Sequence, residues 1–153
     1  MSTPRVVFCE KCGKVWTYLE GITEACPRCN DKTTFWVGKK FHFDAAHFIP
    51  EHPKCGEVHG HTWKVYVEVE GELGDNSMVL DLHILSKVVE EIFSKLDHKL
   101  LNDILPFTPT CERMADYLVS RIYVHLGAEG VHLPKTIRVK VQEGEGGYAI
   151  AQE

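Results

Sequence analysis

From His59 to Gly71 the chain alternates without interruption. Trp63, Val65, Val67 and Val69 fall on one side, Lys64, Tyr66, Glu68 and Glu70 on the other. Successive side chains of a strand point to opposite faces, so this pattern is a strand with one face buried and one wet. Phe41, Phe43 and Ala45 alternate with His42 and Asp44 in the same way and predict an earlier strand. A helix is expected from about Leu82, because Leu85, Val88, Val89, Ile92, Phe93 and Leu96 form one apolar stripe. Thr110 can cap a second helix, with Glu112 in its first turn, running through Met114, Leu118, Val119 and Ile122 to Gly127. Two last strands, Lys135–Glu143 and Tyr148–Gln152, are joined by the turn 144–147. Long hairpin strands with grouped helices predict an α+β fold on an antiparallel sheet.

The chain has 153 residues, 44% hydrophobic and 25% charged, enough apolar material for a core without disulfides. No apolar run approaches a membrane span and no basic-then-apolar segment opens the sequence, so a cytoplasmic protein is expected. The net charge of −5 argues against a chain-wide nucleic-acid surface. Charge is uneven, however. Residues 1–40 hold seven Lys/Arg against four Asp/Glu, the remainder ten against eighteen. With Gly38 as punctuation, this predicts a small module over 1–38 and a main domain over 39–153.

Four of the six Cys lie in the first module, as Cys9-x-x-Cys12 and Cys26-x-x-Cys29. Two such pairs can offer tetrahedral S4 coordination, and structural zinc is the expectation. Iron would suit the same ligands, and disulfides are disfavoured in a reducing compartment. Arg5, Lys11, Lys14, Arg28 and Lys32 permit nucleic-acid contact without requiring it. A docked accessory is the plainer reading.

The main domain carries the densest chemistry. His59 and His61 sit two apart at the mouth of the alternating strand, so both share the buried side with Trp63. His47 has the parity of Phe41 and Phe43 and extends that face. Three imidazoles with an open fourth position would make a catalytic zinc site, against the alternative of hydrogen-bonded core histidines. Cys55, four residues before His59, would become a reactive thiolate beside a cation, or else is inert like Cys111. Asp97-His98 pairs an acid with an imidazole it can hold in one tautomer, or is a solvated helix end. Glu143 falls on the buried face of Ile137, Val139 and Val141, either reaching solvent at the strand end or accepting from a ligand.

Taken in order, Phe43-Asp-Ala-Ala-His47, Cys55-Gly-Glu-Val-His59-Gly-His61, Leu96-Asp97-His98-x-x-Leu-Asn-Asp, Pro109-Thr110-Cys-Glu112 and Val141-Gln-Glu143 resemble one family across about 115 residues. It is the 6-pyruvoyl-tetrahydropterin synthase and 6-carboxy-tetrahydropterin synthase family. The resemblance implies the tunnelling fold, a four-stranded antiparallel sheet with two helices on one face. It also implies a homo-oligomer, a hexamer of two stacked trimers with sites at subunit interfaces. Carried over, His47, His59 and His61 would hold one catalytic zinc, and Cys55, Asp97 and His98 would move protons. Glu143 would anchor the pterin, supported by Thr110 and Glu112. The implied substrate is 7,8-dihydroneopterin triphosphate.

One branch of the family eliminates triphosphate to give 6-pyruvoyl-tetrahydropterin. The other releases acetaldehyde and leaves 6-carboxy-tetrahydropterin for the 7-deazaguanine route to queuosine or archaeosine. The compact run Lys54-Cys55-Gly56-x-x-His59-Gly-His61 is closer to the second. A zinc-ribbon module on a scaffold without chemistry is the non-enzyme alternative. The four-Cys module lies outside the family pattern, and the acidic main domain is an odd host for a triphosphate. Lys54, Lys99, a neighbouring subunit or the first module would have to supply the anion site.

Overall fold

The computed structural model describes residues 5–18, 26 and 34–153. The chain divides into two compact units, Met1–Thr34 and Phe35–Glu153. In the first, strands β1 (Arg5–Phe8) and β2 (Val15–Tyr18) pair antiparallel. Their connecting turn is closed by the Gly13 N–H donating to the Cys9 carbonyl at 2.8 Å. Gly13 sits at φ +72°, a left-handed conformation that costs a glycine little.

The second unit is a four-stranded antiparallel sheet in the order β3-β4-β5-β6. Its strands are β3 (Phe35–His47), β4 (His59–Gly71), β5 (Thr136–Glu143) and β6 (Tyr148–Gln152). Helices α1 (Leu82–Phe93) and α3 (Cys111–Ala128) flank a single-turn helix α2 (Leu101–Ile104). The core lies between the sheet and α1 and α3. Phe41, Phe43, Trp63, Val65, Val67, Val139 and Val141 meet Leu85, Val89, Ile92, Met114, Leu118 and Ile122 there. The alternation expected for β4 is met at every position, since Trp63, Val65, Val67 and Val69 are fully buried. Both long helices are capped by side chains. Asp81 accepts from the His83 N–H at 2.7 Å, and Thr110 from the Arg113 N–H at 3.3 Å.

Three local expectations differ. Strand β3 begins at Phe35, which pairs with Gly71, and passes straight through Gly38. A Cβ at Gly38 would lie 2.5 Å from the Val67 carbonyl oxygen, so this glycine permits close strand approach and does not punctuate the chain. Helix α1 ends at Phe93, and Leu96 reaches the core from the following turn. Helix α2 was not expected, because four residues are too few to show a helical period.

Candidate metal and proton-transfer site

Strand register places the histidines. His47 is paired with His59 and Ala45 with His61, so all three rings project from the covered face at one end of β3 and β4. Their ring centroids lie 4.6, 5.3 and 4.9 Å apart. One nitrogen from each lies within 4.8 Å of the others, an arrangement that can hold a metal ion. Trp63 floors the group, its ring centroid 4.9 Å from that of His47 and its Nε1–H donating to the Ala45 carbonyl at 3.3 Å.

The second nitrogen of two rings is already committed. His47 Nδ1 lies 2.7 Å from the Pro109 carbonyl, and His59 Nδ1 lies 2.7 Å from the Glu57 carbonyl. A carbonyl only accepts, so both Nδ1 atoms carry a proton, and in the neutral ring Nε2 is the atom that keeps the lone pair. Such backbone acceptors behind an imidazole fix the tautomer that can bind a metal. His47 Nε2 is buried without a hydrogen-bond partner, a costly state in an apolar end of a core. Burial holds the His47 imidazole below the ordinary histidine range, outweighing the opposing pull of Pro109 and Glu143. A neutral imidazole with an unused lone pair is the form that ligates zinc, so the donor set fits such an ion.

Glu143 ends β5 opposite Trp63, and its Oε1 stands 3.7 Å from His47 Nε2. The buried-face parity read from the sequence is therefore real, though the carboxylate stays partly exposed. Cys111 opens α3 beside it. Burial first, and the Glu143 carboxylate second, push this thiol up to about 12, so it stays protonated. Thr110 caps α3 and Glu112 lies exposed in its first turn. The Pro109 carbonyl contact was not legible, because a backbone acceptor has no residue signature.

Asp97 and His98 form a pair anchored to the edge of β3. Asp97 Oδ1 accepts the Asp44 N–H at 2.9 Å, and Oδ2 accepts from His98 Nδ1 at 2.7 Å. The Asp44 N–H, then the His98 ring, hold the Asp97 carboxyl below its usual range. The His98 N–H donates to the Asp44 carbonyl at 2.7 Å, fixing a non-glycine residue at φ +56°. With Nδ1 committed to Asp97 and the side chain largely exposed, His98 leaves Nε2 accessible for a further partner. It shares a cleft of about 590 Å³ with His61, Gly60, Thr62 and Lys99. The sequence showed the pair but not its anchor: Thr62 Oγ1 donates to Asp44 Oδ1 at 2.5 Å, locking that strand edge.

Cys55 lies in the β3–β4 connection, residues 48–58, whose two ends are the ligand candidates His47 and His59. Asn102 of α2 clamps the start of that connection. Its Nδ2 donates to the Phe48 carbonyl and its Oδ1 accepts the Phe48 N–H, both at 2.9 Å. In the first unit, Cys9, Cys12 and Cys26 form a second group that can hold a metal ion, with Cys12 and Cys26 sulfurs 3.5 Å apart. A tetrahedron with Zn–S bonds of about 2.3 Å has S···S edges of about 3.8 Å. Cys29 lies outside the described residues, as do Arg28 and Lys32.

Fold and site together define an α+β domain of the tunnelling type, with a tri-histidine candidate metal centre at the end of its covered sheet face. The chain belongs to the 6-pyruvoyl tetrahydropterin synthase family, whose profile matches residues 37–153. It is 41% identical over 113 residues to an Archaeoglobus fulgidus protein named provisionally as a 6-carboxy-5,6,7,8-tetrahydropterin synthase, covering 74% of this chain and 91% of that one. The Bacillus subtilis protein of the same name is 30% identical over 139 residues, at 84% and 92% coverage. The dihydroneopterin monophosphate aldolase of Pyrococcus furiosus is 40% identical over 84 residues, at 55% and 71%. Among solved structures, the Caenorhabditis elegans 6-pyruvoyl tetrahydropterin synthase superposes with TM-score 0.68 at 19% identity, covering 79% of this chain and 96% of that one. That likeness speaks to the fold.

Proposed function

We propose that this chain is a zinc-dependent 6-carboxy-5,6,7,8-tetrahydropterin synthase. It would convert 7,8-dihydroneopterin triphosphate and water to 6-carboxy-tetrahydropterin, acetaldehyde and triphosphate, on the route to 7-deazaguanine nucleosides. The observation that carries this reading is the convergence of His47, His59 and His61 on one point, with the buried Nε2 of His47 lacking a hydrogen-bond partner among the described residues. Relatives named for this activity support the branch.

His47, His59 and His61 would hold the ion, which when bound supplies a Lewis acid for the oxygens of the substrate side chain. Glu143 accepts the 2-amino and ring N–H donors of the pterin, a charge-assisted match, with Thr110 and Glu112 supporting that edge. Cys55, as thiolate, takes a proton from the side chain. His98, held in one tautomer by Asp97, relays a second proton through Nε2. Lys99 in the cleft and Lys54 in the β3–β4 connection face the triphosphate. The protein works as a homo-oligomer, a hexamer of two stacked trimers, whose neighbouring copies complete each site. Cys9, Cys12, Cys26 and Cys29 hold a structural zinc in the N-terminal unit, Met1–Thr34.

A second reading, favoured by the Pyrococcus furiosus relative, is aldol cleavage of dihydroneopterin monophosphate. One experiment separates these. The zinc-loaded protein is incubated with each pterin phosphate, and products are identified by mass spectrometry. Acetaldehyde with 6-carboxy-tetrahydropterin from the triphosphate supports the proposal. Triphosphate release without acetaldehyde assigns the 6-pyruvoyl branch instead. Turnover of the monophosphate alone, leaving a 6-hydroxymethyl pterin, assigns the aldolase. No turnover leaves a scaffold.

A further inference from the structure

The connection carrying Cys55 is short of packing and rich in hydrogen bonds. Cys55 is tied at both of its backbone groups. Its carbonyl accepts the Ile49 N–H at 2.8 Å, and its N–H donates to His52 Nδ1 at 3.0 Å. The Lys54 N–H points to the same ring nitrogen at 3.3 Å, while the His52 N–H donates to the Ile49 carbonyl at 3.1 Å. Two N–H groups aimed at Nδ1 require a lone pair there, so the proton of this imidazole is on Nε2. That is the opposite tautomer from His47 and His59. Pro53 has no N–H to compete, which leaves the acceptor to the next two residues.

His52 is exposed, so its ring holds no core together. The backbone around it is nevertheless specialised. Glu51 stands at φ +64°, and a Cβ at Gly56 would lie 2.8 Å from the His52 carbonyl oxygen. The chain thus doubles back tightly over His52, with the imidazole as the hub of the turn.

We propose that His52 is the positioning residue for Cys55, its Nδ1 capturing the N–H groups two and three residues ahead and thereby fixing where the thiol projects. The nitrogen stands where the side-chain oxygen of Asn or Asp stands in an Asx turn, since both atoms are bonded to Cγ. This inference rests on the reading of Cys55 as the proton acceptor and adds the group that aims it.

The analogy supplies its own test. His52→Asn keeps an acceptor on Cγ, His52→Gln moves it one methylene outward, and His52→Ala removes it. In the full, zinc-loaded chain, three quantities are measured: steady-state turnover, the iodoacetamide alkylation rate of Cys55 by peptide mass spectrometry, and amide exchange of the segment 49–58. Losing one such bond is expected to lower kcat about tenfold and speed amide exchange about tenfold, with KM within about twofold. His52→Ala and His52→Gln should show this together with altered Cys55 alkylation, and His52→Asn should restore all three. The proposal is overturned if His52→Asn behaves as His52→Ala does, or if neither alkylation nor exchange responds to any substitution. If His52→Ala does not fold, the Gln and Asn variants decide between them. If the wild-type chain shows no synthase turnover, the proposed activity falls while exchange and alkylation still judge His52.

Discussion

Replacing His59 with Ala separates metal binding from ordinary packing. Its ring is partly exposed, and its Nδ1–H donates to the Glu57 carbonyl at 2.7 Å. Losing that bond costs about 1 kcal/mol. The linkage to zinc is larger. At free zinc about a hundredfold above Kd, binding to the folded state adds about 2.7 kcal/mol. A unit the size of Phe35–Glu153 unfolds with an entropy of roughly 0.25 kcal/mol/K, taking about 2.1 cal/mol/K per residue. Zinc should therefore raise Tm by about 11 °C. His59→Ala should lose most of that rise while staying within about 4 °C of wild type in chelator. Calorimetry in buffered zinc and in chelator, at fixed protein concentration and in a Cys12→Ser background, reads the shift without the N-terminal sulfurs. Metal analysis of the parent chain should find about two ions, and one after His59→Ala. A His59→Ala protein that keeps both the full shift and the second ion would refute the tri-histidine centre.

The other outcomes concern titration and recognition. The Asp97 carboxyl is held low by the Asp44 N–H and then by His98, so it stabilises the fold above its unfolded value near 3.9. That contribution is lost as pH falls through the lower folded value. Wild-type Tm should then drop more steeply than that of Asp97→Asn as pH falls below about 4, and parallel curves would contradict the assignment. Cys111, pushed up to about 12, should have a thiolate fraction of about 10⁻⁴ at pH 8. Its alkylation should trail a free thiol by at least a thousandfold, and Glu143→Gln should leave it slow because burial is the larger cause. Glu143→Gln should weaken pterin binding roughly ten- to a hundredfold, the worth of a charge-assisted hydrogen bond, measured by calorimetric titration. Unchanged affinity would remove Glu143 from the recognition edge.

The histidine triad was legible because a strand has a rigid period of two. Once His59 and His61 share a face with Trp63, and His47 shares one with Phe43, pairing β3 with β4 leaves them nowhere else to go. Glu143 was legible for the same reason. What the residues could not show is everything set by loop closure. The bond from Asp44 to Asp97 spans 53 residues and uses a backbone donor, and the Pro109 carbonyl under His47 spans 62. Asn102 stood inside a recognised motif, yet its hold on Phe48 depends on a one-turn helix too brief to leave a pattern. His52 carries no mark in the residue pattern, since a tautomer is chosen by neighbours and not by sequence.

The hairpin between β3 and β4 has a consequence for how such a chain can diverge. His47 and His59 are the last matched pair before the connection, so their spacing is set by strand register and not by the residues between them. Lengthening or re-tailoring residues 49–56 would redraw the approach to the three imidazoles and relocate the thiol, while Glu57, whose carbonyl holds His59 Nδ1, stayed in place. Substrate preference can drift in that short hairpin cap while the paired histidines keep their register.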